Sequence, residues 1–129
     1  MAVPKNLLYS KEHEWAQIDG DNATVGITDH AQSLLGDIVY VELPKAGRRI
    51  SQFGTLGVVE SVKAVSDLFT PVGGEVTEVN GELDNDPALV NREPFTGGWM
   101  VKVRLSDPSE AGNLLSAADY EKLVAEESA

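Results

Sequence analysis

The sequence contains no cysteine, which excludes a disulfide framework, a thiolate nucleophile and a thiolate metal site in the polypeptide itself. Basic residues are also scarce, since 10 Lys and Arg stand against 21 Asp and Glu for a formal charge of −11. Nucleic acids and anionic membranes are bound through clusters of Lys and Arg, so neither is expected as a partner. The acidity reflects either solubility alone or an acidic face that docks basic enzymes or holds a cationic group.

Long apolar runs are missing as well. None approaches the ~20 residues that a membrane-spanning helix needs, and residues 1–5 lack the charged-then-apolar pattern of a leader peptide. We therefore expect a cytoplasmic protein, although a mitochondrial matrix protein without its presequence would look the same. The 129 residues suit one domain, 1–129, because no linker or low-complexity stretch divides them.

The apolar residues that are present recur mostly with the period of β-strands. In 38–43 the predicted inward face carries Val39, Val41 and Leu43, and 100–105 shows the same alternation. Shorter strands are predicted at 15–18, 24–27, 57–62, 68–70 and 75–79, with turn residues between them. Many short antiparallel strands predict a mainly β fold, either a flattened barrel or a sandwich.

The predicted helices are few and short. Asp29 begins a segment with capping-box spacing that stops at Gly36, and Asp107 precedes a proline at a helix start. Ser116 is expected to cap a C-terminal helix, with fraying over 126–129. The residues of this last helix predicted to pack on the sheet are Tyr120, Leu123 and Val124.

One lysine, Lys63, stands between two apolar strands. The first strand runs up to Val62, and the next apolar run begins at Leu68. Two strands joined so closely should form a hairpin, which lifts the lysine clear of the sheet. Such a lysine suits acylation by a modifying ligase, because its flexible stem ends in a compact primary amine. The alternative is an ordinary solvated lysine at a turn.

The surroundings of Lys63 resemble a known attachment motif. The run Glu60, Ser61, Val62, Lys63, Ala64, followed by Pro-Val-Gly-Gly-Glu-Val at 71–76, is similar to the lipoyl-attachment motif of glycine cleavage H proteins. Biotin carriers place Met on both sides of the modified lysine, and the lipoyl domains of 2-oxoacid dehydrogenases place Asp directly before it. Blocks that look like the H-protein family also occur, in family order, at 9–15, 25–31, 35–38, 90–94 and 97–99.

This resemblance implies a barrel-sandwich hybrid fold and a non-catalytic carrier that is a monomer in isolation. A lipoate ligase or a lipoyl/octanoyl transferase would attach lipoate to Lys63 as an amide. The arm would carry an aminomethyl group from glycine decarboxylase, a pyridoxal-phosphate enzyme, to a tetrahydrofolate-dependent aminomethyltransferase, and dihydrolipoyl dehydrogenase would reoxidise it. Two alternatives stay open: a donor that passes lipoate to other lipoyl-dependent complexes, and an H-like binding module that is never modified.

The resemblance also indicates where the loaded arm would rest. Its terminal amine is cationic at neutral pH, and a cleft lined by acids would hold it and exclude water. The candidate cleft residues are Glu12, Glu14, Asp67 and His30, although a solvated acidic pair and a packing histidine are the alternatives. His13 is flanked by glutamates, but no third His or Cys completes a zinc set, so no metal is predicted.

Overall fold

The computed structural model describes residues 2–128 and folds them into two antiparallel sheets that share one hydrophobic core. The strands are β1 Leu8–Tyr9, β2 Glu14–Asp19, β3 Asn22–Ile27, β4 Ile38–Glu42, β5 Arg49–Ile50, β6 Thr55–Ser61, β7 Val65–Phe69, β8 Gly74–Val79 and β9 Val101–Leu105. The larger sheet has the order β1-β2-β3-β9-β8-β5, and the smaller sheet has the order β4-β6-β7. The predicted sandwich of short antiparallel strands is confirmed, and it is open rather than closed into a barrel.

Short helices connect the strands. They are α1 Asp29–Leu35, α2 Glu82–Asn85, α3 Leu89–Arg92, a 3₁₀ helix Pro108–Asn113 and α4 Ala117–Ser128. The predicted helix after Asp29 is present, but its cap is Thr28, whose Oγ1 accepts the Ala31 N–H at 3.1 Å. No helix in the described range 2–128 has the length and apolarity required to cross a membrane.

The C-terminal helix starts where the sequence predicts. The Ser116 Oγ accepts the Asp119 N–H at 3.2 Å, and Tyr120 is buried. The helix continues through Ser128, so the predicted fraying from residue 126 is wrong, and Ala129 lies outside the described residues. The single-turn helices α2 and α3 were not predicted, because four residues are too few to show a helical period.

The predicted inward face of β4 is only partly right. Val41 is buried, but Val39 is 54% exposed. The pairing of β4 with β6 shifts register between Ile38 and Tyr40, and this bulge turns Ile38 inward in place of Val39. In the same strand pair, Gly57 of β6 allows a close approach of β4, since a Cβ there would lie 2.0 Å from the Glu42 carbonyl oxygen.

A second, smaller core holds α4 against the β1–β2 edge. The rings of Tyr9 and Tyr120 stack with centroids 4.5 Å apart, and Trp15 is buried beside them. This packing fixes the turn between β1 and β2, in which the Ser10 N–H donates to the Glu14 carbonyl oxygen at 2.9 Å. Within that turn His13 has a φ of 71°, the left-handed conformation that is uncommon for a residue other than glycine.

Candidate functional site

Lys63 lies at the tip of the hairpin that joins β6 and β7, as the sequence predicts. Glu60 pairs with Val65 in the last rung of the hairpin, and the residues between them form the turn. The lysine side chain is exposed. Its aliphatic stem runs beside Gly36, where an added Cβ would lie 3.5 Å from the Lys63 Cε. The amine is therefore held out at a defined place and is open to an acylating enzyme.

The Ser61 side chain organises this turn. Its Oγ accepts the Ala64 N–H at 3.1 Å and the Lys63 N–H at 3.3 Å, while the Ser61 N–H donates to the Ala64 carbonyl oxygen at 2.8 Å. A serine hydroxyl that binds backbone groups two and three residues ahead closes a tight turn without help from glycine. Ser61 thus fixes the backbone conformation of the turn that carries Lys63.

We expect Ser61→Ala to loosen the hairpin tip without unfolding the protein. The loss of the hydroxyl leaves two turn N–H groups without their acceptor, at a cost of about 1–2 kcal/mol in the free energy of unfolding. Lipoylation should slow, because the amine no longer occupies one position. Urea unfolding and the initial rate of lipoylation measure the two effects. Ser33→Ala, an exposed position on α1, is the control and should change neither.

The connection between α1 and β4 supports the hairpin from one side. The Val62 N–H donates to the Asp37 carbonyl oxygen at 3.0 Å. Asn91 on α3 holds this connection: its Nδ2 donates to the Gly36 carbonyl oxygen at 2.9 Å, and its Oδ1 accepts the Ile38 N–H at 2.9 Å. Asn91 therefore positions the lysine turn through the backbone of 36–38, a role that the sequence analysis did not assign.

Replacing Asn91 with alanine should both destabilise the fold and disturb the lysine turn. Two backbone groups around Asp37 lose their partners, which costs roughly 2–4 kcal/mol in total. Thermal unfolding reports the loss of stability, and hydrogen exchange at the Val62 amide reports the weaker anchoring of the turn. Asn22→Ala, at an exposed strand end, is the matched control. An unchanged exchange rate at Val62 in Asn91→Ala would remove Asn91 from the support of the turn.

A cleft of about 360 Å³ opens beside the hairpin. Ala64, the residue after the lysine, lies on its wall, and three of the predicted acids, Glu12, Glu14 and Asp67, lie around it. The remaining wall is mostly apolar and includes Ile27, Ala31, Leu34, Leu35, Val59 and Leu68. An apolar trough with acids along it and a lysine at its rim matches an arm with an aliphatic body and a cationic end.

The three acids differ in environment. Glu12 and Asp67 are exposed, whereas Glu14 is only 3% exposed. The Ser10 Oγ donates to Glu14 Oε1 at 2.6 Å, and the Phe69 N–H approaches Glu14 Oε2 at 3.4 Å. Burial raises the pKa of the Glu14 carboxyl to about 8, and the hydrogen bonds from Ser10 and Phe69 only partly oppose this rise.

Because its pKa is raised, the charge of the Glu14 carboxyl depends on whether a cation lies beside it. At pH 7 the buried carboxyl is mostly protonated when the cleft holds no cation. An ammonium group that enters the cleft favours the ionised form, so its arrival would release a proton. Ionising the carboxyl one pKa unit below its midpoint costs about 1.4 kcal/mol, which weakens the resulting ion pair. A cation paired with Glu14 in this cleft would therefore be bound weakly.

His30, the fourth candidate for the cleft, takes the packing role that the sequence left open as its alternative. It is buried on α1, but its ring packs against His13, with centroids 4.7 Å apart, and not along the cleft wall. Ala31, Leu34 and Leu35 supply the α1 side of the cleft instead. The histidines meet Glu127 of α4, which supplies a third possible metal ligand that the sequence argument did not find.

Several apolar side chains near the hairpin are exposed, and the sequence analysis gave a functional place to Val62 alone, as part of the attachment motif. Val62 and Val65, on either side of the turn, are 69% and 67% exposed. Val39 of the neighbouring strand and Leu34 at the cleft are also exposed. Exposed apolar residues gathered around one feature are typical of contact surfaces. In the sequence this exposed apolar surface is indicated by the two valines, Val62 and Val65, that flank Lys63 and Ala64.

Comparisons with known proteins identify the family of the chain. The family model described as Glycine cleavage H-protein matches residues 7–127. The glycine cleavage system H protein of Koribacter versatilis is 60% identical over 127 residues and 98% of each chain. That of Carboxydothermus hydrogenoformans is 56% identical over 125 residues, which cover 97% of this chain and 96% of the relative.

A solved structure gives the same result for the fold. The crystal structure of a glycine cleavage system H protein from Mycobacterium marinum matches with a TM-score of 0.88 at 37% identity. The match covers 95% of this chain and 99% of that one. On the family model, the sequence identity and the shared fold, the chain belongs to the glycine cleavage H-protein family.

Proposed function

We propose that this protein carries lipoate as an amide on Lys63 and that the resulting arm moves an aminomethyl group within the glycine cleavage system. Membership of the H-protein family supports a carrier role in that system. The observation that carries the choice of residue is the position of Lys63, exposed on a hairpin turn that Ser61 and the Asp37 carbonyl hold in place. In this role the protein binds and delivers and does not itself catalyse a reaction.

The attached arm would have two positions. In the extended position the lipoyl group reaches the active site of a partner enzyme, and tethering makes that encounter effectively intramolecular. In the resting position the arm lies in the cleft beside Ala64, with its apolar body along Leu34, Leu35 and Leu68. Water is excluded there, which protects a one-carbon unit bound between sulfur and nitrogen from hydrolysis.

The end of the loaded arm is an ammonium group, and Glu14 is its proposed partner. The buried carboxylate would accept from the ammonium, while the exposed Glu12 and Asp67 add negative potential at the mouth. Exposed ion pairs contribute only ~0–1 kcal/mol, and the cost of ionising Glu14 keeps the buried pair weak as well. The arm is therefore protected at rest and free to leave when a partner docks.

The proposed partners are those that the H-protein family implies. A pyridoxal-phosphate glycine decarboxylase loads the arm, a tetrahydrofolate-dependent aminomethyltransferase unloads it, and dihydrolipoyl dehydrogenase reoxidises the dithiol. Each must approach the hairpin tip, so the exposed Val62 and Val65 would lie in every interface. A lipoate ligase or a lipoyl/octanoyl transferase would recognise the same hairpin tip. The bacterial relatives support a cytoplasmic location for this exchange.

The loading step gives a direct test. Lipoylated protein, glycine and glycine decarboxylase should produce one aminomethyl adduct per chain, detected as a mass increase on the Lys63 peptide. Addition of the aminomethyltransferase and tetrahydrofolate should remove it. If the lipoylated chain takes up no adduct but transfers its lipoyl group to an acceptor domain, the protein is a lipoyl donor and the carrier proposal fails.

A further inference from the structure

A cluster of three side chains lies away from the lysine hairpin, where α4 meets the turn between β1 and β2. It consists of His13, His30 and Glu127, whose possible ligand atoms all lie within 4.8 Å of one another. The Glu127 Oε1 is 2.9 Å from the His13 Nε2 and 3.6 Å from the His30 Nε2. His13 also lines the cleft beside the hairpin, but His30 and Glu127 do not, and the attachment of lipoate does not require this arrangement.

We propose that His13, His30 and Glu127 bind a divalent cation of the zinc class. Two imidazoles and one carboxylate are a ligand set that zinc accepts, with a fourth position left for water. Zinc holds such ligands at about 2.0–2.1 Å, so a tetrahedral site separates the ligand atoms by about 3.3 Å. The two distances to the Glu127 oxygen lie on either side of this value.

The His30 side chain is the observation that points to a ligand. It is only 6% exposed, and its Nε2 is a buried polar atom without a hydrogen-bond partner in the described structure. A buried polar atom left in this state costs free energy, and such atoms are rare in folded proteins. The free nitrogen faces the carboxylate of Glu127. A cation between these two groups would satisfy the nitrogen that the protein alone leaves unpaired.

His13 is oriented as a metal-binding histidine should be. Its Nδ1 lies 2.9 Å from the Tyr120 hydroxyl, which in turn lies 2.7 Å from the Thr28 Oγ1. This chain fixes the ring and leaves the Nε2 for a ligand. Histidine ligands commonly bind a second group through their other ring nitrogen, because that bond sets the tautomer and the ring orientation.

A bound cation would join distant parts of the chain. Glu127 lies near the end of α4, His13 lies in the turn that presents Glu12 and Glu14 to the cleft, and His30 lies on α1. The site would therefore fasten the last turn of α4 to the segment that holds the acids of the cleft. Ligand binding to the folded state alone raises the melting temperature by mass action.

The test uses the tag-free, unlipoylated full chain after treatment with a chelator. The lipoyl arm is omitted because its reduced dithiol would itself bind zinc. Calorimetric titration with zinc chloride should show one site per chain, and zinc should raise the melting temperature. Cobalt(II) should bind in its place and give the visible absorption bands of a four-coordinate ion.

Two matched variants decide whether the proposed ligands are the real ones. Glu127→Gln changes a partly exposed side chain near the helix end and should lower zinc affinity roughly ten-fold or more. Glu126→Gln, its exposed neighbour, should leave the affinity unchanged. His30→Gln should abolish the cobalt spectrum, with circular dichroism as the check on folding. The proposal is overturned if no saturable binding occurs, or if Glu127→Gln binds zinc as tightly as Glu126→Gln.

Discussion

Lys63→Arg is expected to abolish lipoylation and glycine cleavage completely while the fold stays intact. A guanidinium keeps the positive charge but cannot form the amide that holds lipoate. The side chain is exposed at a hairpin tip whose hydrogen bonds come from Ser61 and the backbone, so the free energy of unfolding should change by less than ~0.5 kcal/mol. Intact mass after incubation with a lipoate ligase measures the first effect, and thermal unfolding measures the second.

Lys45→Arg is the matched control for this variant. Lys45 is also exposed beside a turn, at Ala46–Gly47, but lies outside the attachment motif. The Lys45→Arg protein should be lipoylated on Lys63 and should support glycine cleavage like the unchanged protein. A Lys63→Arg protein that still gained a lipoyl group would show that the attachment residue lies elsewhere.

The second large effect is expected for Glu14→Gln. The substitution keeps the shape of the side chain but removes the buried carboxylate that would face the ammonium of the loaded arm. Lipoylation should be nearly normal, because Lys63 is untouched. The aminomethyl group should be lost to water several times faster, since the arm spends more time outside the cleft. The lifetime of the loaded form, followed by mass spectrometry without partner enzymes, measures this change.

The same variant should remove a pH dependence of stability. Because the pKa of Glu14 is raised to about 8 in the folded protein, folding favours the protonated carboxyl. Its contribution is fully present below about pH 4.5 and is lost as pH rises toward 8, since the unfolded state then binds fewer protons. The total loss is roughly 3–5 kcal/mol. Glu14→Gln lacks this term, so its stability relative to the unchanged protein should rise between pH 5 and 9.

Two variants separate these effects from a general loss of charge. Glu126→Gln removes an exposed carboxylate on α4 and should affect neither the lifetime of the loaded arm nor the pH dependence. Glu12→Gln removes an exposed acid at the cleft and should shorten the lifetime less than Glu14→Gln does. Equal lifetimes for Glu14→Gln and the unchanged protein would place the ammonium group away from Glu14.

The sequence predicts the parts of the molecule that depend on local patterns. Alternating residues in β9 are buried and exposed as expected, because each strand residue faces opposite its neighbour. The hairpin at Lys63 was also predictable, because two apolar strands separated by a short polar segment favour a β-hairpin. The cap at Ser116 follows from the same kind of local rule.

The parts that depend on distant contacts were not predictable in the same way. Val39 is exposed because a bulge shifts the register of β4, and a regular alternation gives no sign of it. His30 packs against His13 and faces Glu127 of α4, and these contacts join segments far apart in the sequence. The burial of Glu14 depends on Ser10 and on the backbone of Phe69, 55 residues along the chain. Charge alone would have placed this glutamate in water.

The proposed function requires that one exposed amine, that of Lys63, receives the lipoyl group. The most direct measurement is peptide mapping by mass spectrometry of the full chain, isolated after co-expression with a lipoate ligase. We expect a single lipoyl group per chain, located on the peptide that contains Lys63. A chain that stays unmodified, or one that carries its lipoyl group on another lysine, would rule out Lys63 as the attachment residue.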